Sequence, residues 1–320
     1  MKSIDLSYCG RVAIEECARV KPGERVLVVT DTLRDQSITR ALLGAAKSIG
    51  AEAMSVLFSA RPGEPPEAVL AAAACADVVF LHTTFSLSHS NLRVKAQEAG
   101  ARVISMPGVS EDGFLRTLSV DIRKLADLSN RVAERIAAAK EVRMTTSSGT
   151  DITMTLGHPV TVGDGLCWEP GELDFFPPGL ILHVPQEGSV QGRAVVDGSI
   201  TRIGRLANPV SMLFQDGRLV SIEGGPEAHR LQELLAGFQD ESVYMFAAWG
   251  MGTNPGAALL GEEPSFEGER IYGWGHVSTG SNASFPGGTV KAPIHLDGII
   301  ANPTIYLDGE VILSQGQFRI

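Results

Sequence analysis

The chain lacks the features of several large protein classes. Its 320 residues contain four cysteines, Cys9, Cys17, Cys75 and Cys167, and none of them forms a CxxC pair. We therefore expect reduced thiols and a cytoplasmic protein. No apolar run approaches the roughly 18 residues of a membrane span, and the N-terminus "MKSIDLSYCGRV" has no apolar secretory segment. Neither a membrane partner nor secretion is expected.

Motifs for nucleotide cofactors and nucleic acids are also missing. The segment after the first predicted strand, "VVTDTLRDQS", contains no glycine, and no GxxxxGK[ST] sequence occurs. The chain has 27 basic against 37 acidic residues, and no basic stripe with interleaved aromatics. We expect no nucleotide cofactor and no nucleic-acid partner. The acidic excess lies after residue 140, where 21 acidic residues stand against 9 basic ones.

Residues 1–140 alternate apolar runs with helical periodicity. Buried strands are predicted at 24–30, 51–59, 76–84 and 101–108. Repeated strand–helix–strand units indicate an open parallel sheet flanked by helices, a Rossmann- or flavodoxin-like α/β domain. A long helix from about 112 to 140 is predicted to close this domain. Ligands of such sheets bind beyond the carboxyl ends of the strands, where His82 lies.

Residues 141–320 change to the period-two alternation of β-strands. Three Asp-Gly pairs, at 197–198, 216–217 and 308–309, stand between alternating runs and predict tight hairpins. One helix is predicted at 226–238. We therefore expect a C-terminal, mainly antiparallel β domain of the α+β type over 141–320, following the α/β domain of 1–140.

Two histidines and an aspartate gather in "YGWGHVSTGSNASFPGGTVKAPIHLDGII", residues 272–300. Side chains two apart in a strand point to the same side, so His295 and Asp297 are predicted to project together while Leu296 turns into the core. His276 ends a predicted strand, "RIYGWGH", and could reach the same point. Two imidazoles and one carboxylate are typical of non-haem Fe(II) enzymes that activate O₂, and zinc suits the same ligands. Because H-x-D is a common pattern, polar residues at a hairpin are the alternative.

Several segments of the second half resemble the aminopeptidase T family of metallopeptidases. They are "WGMGTNPGAAL" (249–259), "HVSTGSNASFPGG" with the later "HLDGII", and "PPGLILHVPQEGSVQGRAVVDGSI" (177–200). The resemblance covers most of residues 150–320, whereas the first half is similar only in architecture. It implies that His276, His295 and Asp297 are metal ligands. It also implies a homo-oligomer, a dimer or a larger assembly.

The chain departs from the aminopeptidases at two glutamates that help to hold a pair of metal ions in that family. The resemblance places Leu180 and Ala248 at these positions. It also implies a tyrosine after the first histidine, but no tyrosine lies between His276 and His295. Leucine and alanine cannot ligate a cation, so we expect one ion. The reduced set is similar to that of the Fe(II)-dependent 2,5-dihydroxypyridine 5,6-dioxygenases. This similarity implies ring opening of a small hydroxylated aromatic or heteroaromatic substrate with O₂, with Zn, Mn or Co as alternatives to Fe(II).

Two histidines are predicted as the catalytic base that takes the proton of the substrate hydroxyl. His183 is the only ionisable side chain of "GLILHVP", and His82 ends a parallel strand. For His183 the alternative is a hydrogen-bonded core residue. Ser278 and Ser281, with Thr279 and Asn282, are predicted either to donate hydrogen bonds to substrate or only to shape the turn.

Three interpretations therefore compete. The leading one is a mononuclear iron dioxygenase that opens a ring such as a dihydroxypyridine. The second is an aminopeptidase T-like metallohydrolase with substitute ligands, for which Glu172, Asp174 and Glu187 are candidates. The third is a protein that binds a metabolite and performs no chemistry. One iron, two zinc or cobalt ions, or no metal per chain would distinguish the three.

Overall fold

The computed structural model describes residues 2–260 and 267–320. The chain divides into two compact units. The first comprises Met1–Ala126 and Gly163–Pro178, and the second comprises Asp127–Val162 and Gly179–Ile320. The single boundary predicted at residue 140 differs from this division, because the chain passes between the units three times.

The described residues form seven α-helices together with short helices of other types. The α-helices are α1 (Lys2–Arg11), α2 (Ser37–Ser48), α3 (Glu67–Ala73), α4 (Asn91–Glu98), α5 (Glu111–Leu118), α6 (Ile122–Ala138) and α7 (Pro226–Gly237). A π-helix, Val12–Cys17, follows α1, and 3₁₀ turns lie at Glu241–Tyr244 and Gly268–Arg270. None of these helices is long and apolar enough to cross a membrane.

The strands form three sheets. They are β1 (Arg25–Asp31), β2 (Glu52–Phe58), β3 (Val78–His82), β4 (Arg102–Ser105), β5 (Glu141–Thr145), β6 (Asp151–Thr155), β7 (Thr161–Gly163), β8 (Leu173–Phe175), β9 (Leu180–His183), β10 (Gln191–Val196), β11 (Ser199–Ile200), β12 (Gly204–Arg205), β13 (Val210–Gln215), β14 (Arg218–Gly224), β15 (Phe246–Gly252), β16 (Gly275–Gly280), β17 (His295–Ile300), β18 (Thr304–Leu307), β19 (Glu310–Ser314) and β20 (Gln317–Phe318).

The first unit is built on a parallel sheet of five strands in the order β2-β1-β3-β4-β8. Alternate side chains of β1 enter two different cores. Val26 and Val28 pack with residues of α1, α2 and α5. Leu27 and Val29 pack with residues of α3 and α4. Helices therefore cover both faces of the sheet, and the predicted α/β fold class is confirmed. Strand β8 comes from the second half of the sequence, which is why the predicted boundary differs.

The helix predicted from about 112 to 140 is two helices, α5 and α6. The carboxylate of Asp121 accepts a hydrogen bond from the backbone N–H of Lys124 at 3.1 Å and caps α6. At the end of α5, the Ser119 hydroxyl donates to the carbonyl oxygen of Leu115 at 2.6 Å. These local bonds interrupt a segment whose apolar periodicity favoured one continuous helix.

The second unit contains two antiparallel sheets. One has eight strands in the order β14-β13-β10-β6-β5-β18-β19-β20, and the other has seven in the order β12-β11-β17-β16-β15-β9-β7. Side chains from both sheets share one core, in which Met144 and Ile152 of the first meet Trp249 and Val277 of the second. The mainly antiparallel β domain predicted from sequence is thus present.

Two of the three predicted Asp-Gly hairpins are confirmed. Residues 216–217 join β13 to β14 with φ of 49° and 73°, and residues 308–309 join β18 to β19 with φ of 48° and 86°. Positive φ at both central residues suits a tight hairpin. The prediction for residues 197–198 is wrong, because they connect β10 to β11 in different sheets. Gly198 is needed there for close approach, since a Cβ would lie 3.0 Å from the carbonyl oxygen of Ile299.

Candidate metal centre

Neighbouring strands of the seven-stranded sheet carry the predicted metal ligands. In the β16–β17 pairing, Ser278 lies opposite Asp297 and Gly280 lies opposite His295. Directly paired side chains lie on the same face, as do side chains two residues apart. His276, two residues before Ser278, therefore shares a face with His295 and Asp297. The prediction that His276 ends a strand is wrong, because His276 is the second residue of β16.

The side chain of His276 is fully buried. Neither of its ring nitrogens has a partner in the described part of the chain. Gly250 leaves space for the ring, because a Cβ there would lie 2.5 Å from His276 Cε1 and 2.0 Å from the carbonyl oxygen of Ile181. Burial lowers the pKa of His276 to about 4, so the imidazole is neutral at neutral pH. A neutral, buried imidazole without hydrogen bonds fits a metal ligand.

His295 and Asp297 contact each other, with Nε2 of His295 3.1 Å from Oδ1 of Asp297. Nδ1 of His295 lies 2.6 Å from the carbonyl oxygen of Ser281, which accepts the Nδ1 proton. This directs Nε2 at the carboxylate, where a cation would replace the Nε2 proton, as in many metal-binding histidines. Burial alone would lower the pKa of His295, but the Asp297 carboxylate raises it to about 9. Burial would raise the pKa of Asp297, but His295 holds it well below its usual range.

Asp297 is held by its neighbours on both sides. The Ser278 hydroxyl donates to Asp297 Oδ1 at 2.6 Å. The backbone N–H of Asp297 donates to the Thr201 hydroxyl at 3.1 Å, and the N–H of Thr201 donates to the Asp297 carbonyl at 2.9 Å. The Ser281 hydroxyl donates to a backbone carbonyl oxygen at 3.3 Å. In this structure Ser278 orients Asp297 and Ser281 orients His295, and substrate contacts from these serines stay predictions.

A further acidic group, Glu269, was missed in the sequence. One carboxylate oxygen of Glu269, one ring nitrogen of His276 and one carboxylate oxygen of Asp297 lie within 4.8 Å of one another. Nη1 of Arg270 lies 2.8 Å from Oε2 of Glu269. Burial raises the pKa of Glu269 to about 7, although the Arg270 guanidinium acts in the opposite direction. No periodic pattern marks Glu269, because it lies in a three-residue 3₁₀ turn.

Leu180 and Ala248, which the resemblance aligned with glutamates of the aminopeptidases, lie in apolar surroundings. A small buried cluster comprises Leu180, Leu182 and Ala248, with Phe285 packed against it. The strand register places this cluster on the same sheet face as His276. The ring centroid of Phe285 lies 5.5 Å from that of His295. The face that carries the candidate ligands therefore continues into an apolar wall.

His183 lies on the opposite face of the same sheet. It pairs with Trp249, one residue before Gly250, and the ring centroids of His183 and Trp249 are 6.4 Å apart. Its Nε2 accepts a hydrogen bond from the backbone N–H of His158 at 3.4 Å, and burial lowers its pKa to about 4. The position matches the hydrogen-bonded core histidine of the alternative interpretation. It gives no support to His183 as a base for chemistry beside His276.

His82 ends β3 in the first unit. Its Nε2 lies 3.1 Å from the carbonyl oxygen of Val109, which accepts the Nε2 proton. Its Nδ1 is buried and has no hydrogen-bond partner among the described residues. Burial lowers the pKa of His82, so the ring is neutral at neutral pH with an Nδ1 lone pair able to accept a proton. Its role as a base stays a prediction.

The three carboxylates considered as substitute ligands make other bonds. Glu172 and Asp174 accept hydrogen bonds from backbone N–H groups within the first unit. Glu187 is exposed and accepts from the Thr289 hydroxyl at 3.1 Å. Over residues 2–260 and 267–320, the group that could share a cation is Glu269, His276 and Asp297.

Comparison with known proteins decides the family. The profile of the NicX family, 2,5-dihydroxypyridine 5,6-dioxygenase, matches residues 9–320. This chain belongs to that family. The curated 2,5-dihydroxypyridine 5,6-dioxygenase of Pseudomonas putida KT2440 is 28% identical over 249 residues, which cover 73% of this chain and 69% of that protein. The resemblance inferred from the sequence is confirmed, and so is the class of enzyme, a ring-cleaving dioxygenase.

Two solved structures share the fold. That of 2,5-dihydroxypyridine dioxygenase from Pseudomonas putida KT2440 has a TM-score of 0.84 at 23% identity, covering 99% of this chain and 97% of its own. That of wild-type AmpT from Thermus thermophilus has a TM-score of 0.71 at 15% identity, covering 99% of both chains. The resemblance of this chain to both groups of proteins therefore extends to the fold.

Proposed function

We propose that this chain opens the ring of 2,5-dihydroxypyridine, or of a closely related hydroxylated heteroaromatic, with O₂ at one Fe(II) ion held by His276, His295 and Asp297. The metal site is supported chiefly by His276, a fully buried ring that has no hydrogen-bond partner among the described residues and lies beside two carboxylates. Family membership supports the reaction and the substrate class. Bound there, Fe(II) would supply the redox activity and open coordination positions that reaction with O₂ requires. Mn, Co and Zn are the alternative metals.

The protein's own contribution begins with the orientation of the proposed ligands. The Ser281 carbonyl oxygen accepts the Nδ1 proton of His295 and so orients the imidazole ring. The Ser278 hydroxyl donates to the Asp297 carboxylate and orients it. Gly250 leaves the room that the His276 ring occupies. Partners of this kind typically change metal affinity or activity by about 10–100-fold when they are removed.

The apolar wall supports a flat organic substrate. Leu180, Leu182, Ala248 and Phe285 present no charged or hydrogen-bonding side chain. Such a surface suits the carbon edge of an aromatic ring and excludes water from the site. A two-metal aminopeptidase of the kind implied by the resemblance would need carboxylates at positions 180 and 248. The apolar wall therefore favours the dioxygenase over the hydrolase.

A histidine is the proposed base that accepts the proton of the substrate's ring hydroxyl. Of the two predicted bases, we favour His82, whose buried Nδ1 has no partner in the described residues. Transfer of the hydroxyl proton to Nδ1 would leave a ring oxygen with more negative charge, and a more electron-rich ring reacts more readily with O₂. His183 is the second choice, because it lies on the sheet face opposite to His276.

A cytoplasmic location and a homo-oligomer, a dimer or larger, complete the proposal. Free cysteines support a reducing compartment, since Cys9, Cys17 and Cys167 are buried thiols. Light scattering of the purified protein tests the assembly.

Oxygen uptake tests the proposed reaction. Protein purified without oxygen and loaded with Fe(II) should consume O₂ when 2,5-dihydroxypyridine is added, and the His276→Leu variant should not. The same protein should release no p-nitroaniline from aminoacyl p-nitroanilides. Hydrolysis of the anilides without oxygen uptake on any dihydroxypyridine would contradict the proposal.

A further inference from the structure

We infer that Glu269 is a fourth protein ligand of the metal ion and that Arg270 holds it in place. The inference rests on the proposed metal site. It adds a residue outside the set of His276, His295 and Asp297.

The position of Glu269 is fixed by the backbone of the strand beside His276. The N–H of Asn254, just after β15, donates to the carbonyl oxygen of Arg270 at 2.9 Å. Gly252 permits this approach, because a Cβ there would lie 2.2 Å from the carbonyl carbon of Arg270. The "GTN" segment thereby holds the 3₁₀ turn Gly268–Arg270 against the sheet. Glu269 is placed by main-chain contacts rather than by a mobile surface loop.

The spacing of the acceptor atoms suits one shared ion. Atoms of Glu269, His276 and Asp297 all lie within 4.8 Å of one another. Nitrogen and oxygen ligands bind such ions at about 2.0–2.2 Å, so two ligands of one ion are separated by up to roughly 4.4 Å. A small side-chain movement therefore brings the three groups to a common ion. His276 provides an independent sign of a ligand, because it is fully buried and both its nitrogens lack partners in the described chain.

The carboxylates of the site are buried, and one oxygen of Glu269 is left for a cation. The side chains of Glu269 and Asp297 are 10% and 7% exposed, and the Arg270 side chain is 5% exposed. Arg270 contacts one oxygen of Glu269, and a carboxylate has a second oxygen for a cation.

The competing explanation makes Glu269 only the ion-pair partner of Arg270. The two explanations differ in metal affinity. A ligand role predicts weaker binding when the carboxylate is neutralised, whereas an ion-pair role predicts unchanged binding in a folded variant. A fourth ligand would also leave fewer positions on the ion open to substrate.

Titration calorimetry with Co²⁺ on metal-free protein tests the inference. Glu269→Gln should bind Co²⁺ about 10–100-fold more weakly than the wild-type protein. Glu267→Gln is the matched control, because Glu267 is buried next to the same turn and its Oε1 accepts from the N–H of Ala258 at 2.7 Å. This control should keep the wild-type affinity.

A second variant guards against misfolding. Glu269→Gln/Arg270→Gln removes both charges of the pair, and urea denaturation in EDTA shows whether each variant folds. The double variant should show the same weakened Co²⁺ binding. If both variants fold and bind Co²⁺ as tightly as wild type while His276→Leu does not bind it, the role of Glu269 is refuted and the proposed site stands. If the wild-type protein itself binds no Co²⁺, the proposed metal site fails, and the inference fails with it.

Discussion

The complete burial of His276 leads to a stability prediction that is unusual for a functional residue. A buried polar group without a hydrogen-bond partner costs about 1–3 kcal/mol. Neither ring nitrogen of His276 has a partner within residues 2–260 and 267–320. Leucine removes both, and a change of shape at similar volume costs less than about 1.5 kcal/mol. In EDTA, the unfolding free energy of His276→Leu should therefore equal or exceed that of the wild-type protein, by about 1 kcal/mol.

Metal should reverse this order. A ligand at 100 times its dissociation constant stabilises the folded state by about 2.7 kcal/mol. With Co²⁺ at that excess, the wild-type protein should gain this amount and His276→Leu should gain nothing. Urea denaturation followed by tryptophan fluorescence, with EDTA or with Co²⁺, measures both effects.

His183→Leu is the control for this experiment. His183 is also a buried histidine of the same sheet, but it lies on the opposite face and accepts a hydrogen bond from His158. This variant should lose some stability in EDTA and keep the full gain from Co²⁺. The reasoning would be refuted if His276→Leu lost about 3 kcal/mol in EDTA, or if Co²⁺ still stabilised it.

Three further predictions concern neighbouring groups. Gly250→Ala should lower the unfolding free energy by at least about 1–3 kcal/mol and abolish Co²⁺ binding, because the new Cβ would meet the His276 ring and a backbone carbonyl. Calorimetry that shows wild-type affinity would contradict this. Because Asp297 raises the pKa of His295 to about 9, the metal-free site holds a proton at pH 7 that a cation must displace. Co²⁺ binding should then weaken as the pH falls and release about one proton, seen with an indicator dye in weak buffer; pH-independent binding would count against it. His82→Gln should lower kcat for 2,5-dihydroxypyridine by about 10²–10⁴-fold at unchanged Co²⁺ affinity, and an unchanged kcat would remove His82 as the base.

Short-range patterns account for the parts of the site that could be predicted. His295 and Asp297 lie two apart in β17, and Leu296 between them enters the core, as period two requires. By contrast, all four residues of β9 are buried, so no polar alternation indicates which face His183 takes. Its face is set by the register with β15, a contact between segments distant in sequence.

Non-local contacts also explain the differences in the fold. The pair at 197–198 has the local sequence of a hairpin, but Gly198 donates its N–H to the carbonyl oxygen of Ile299 and the chain changes sheets there. Strand β8 joins β4 of the first sheet across a long stretch of sequence. Glu269 was missed because its turn is placed by the "GTN" segment rather than by any periodicity of its own. In each case the deciding partner is remote in sequence.

The location of the metal is the most direct test of the account. Crystals grown without oxygen and loaded with Fe(II) should show one anomalous scattering peak at the iron absorption edge. We predict that this peak lies about 2.0–2.2 Å from a nitrogen of His276, a nitrogen of His295 and an oxygen of Asp297. A peak away from these side chains, or a second iron beside the first, would contradict the account.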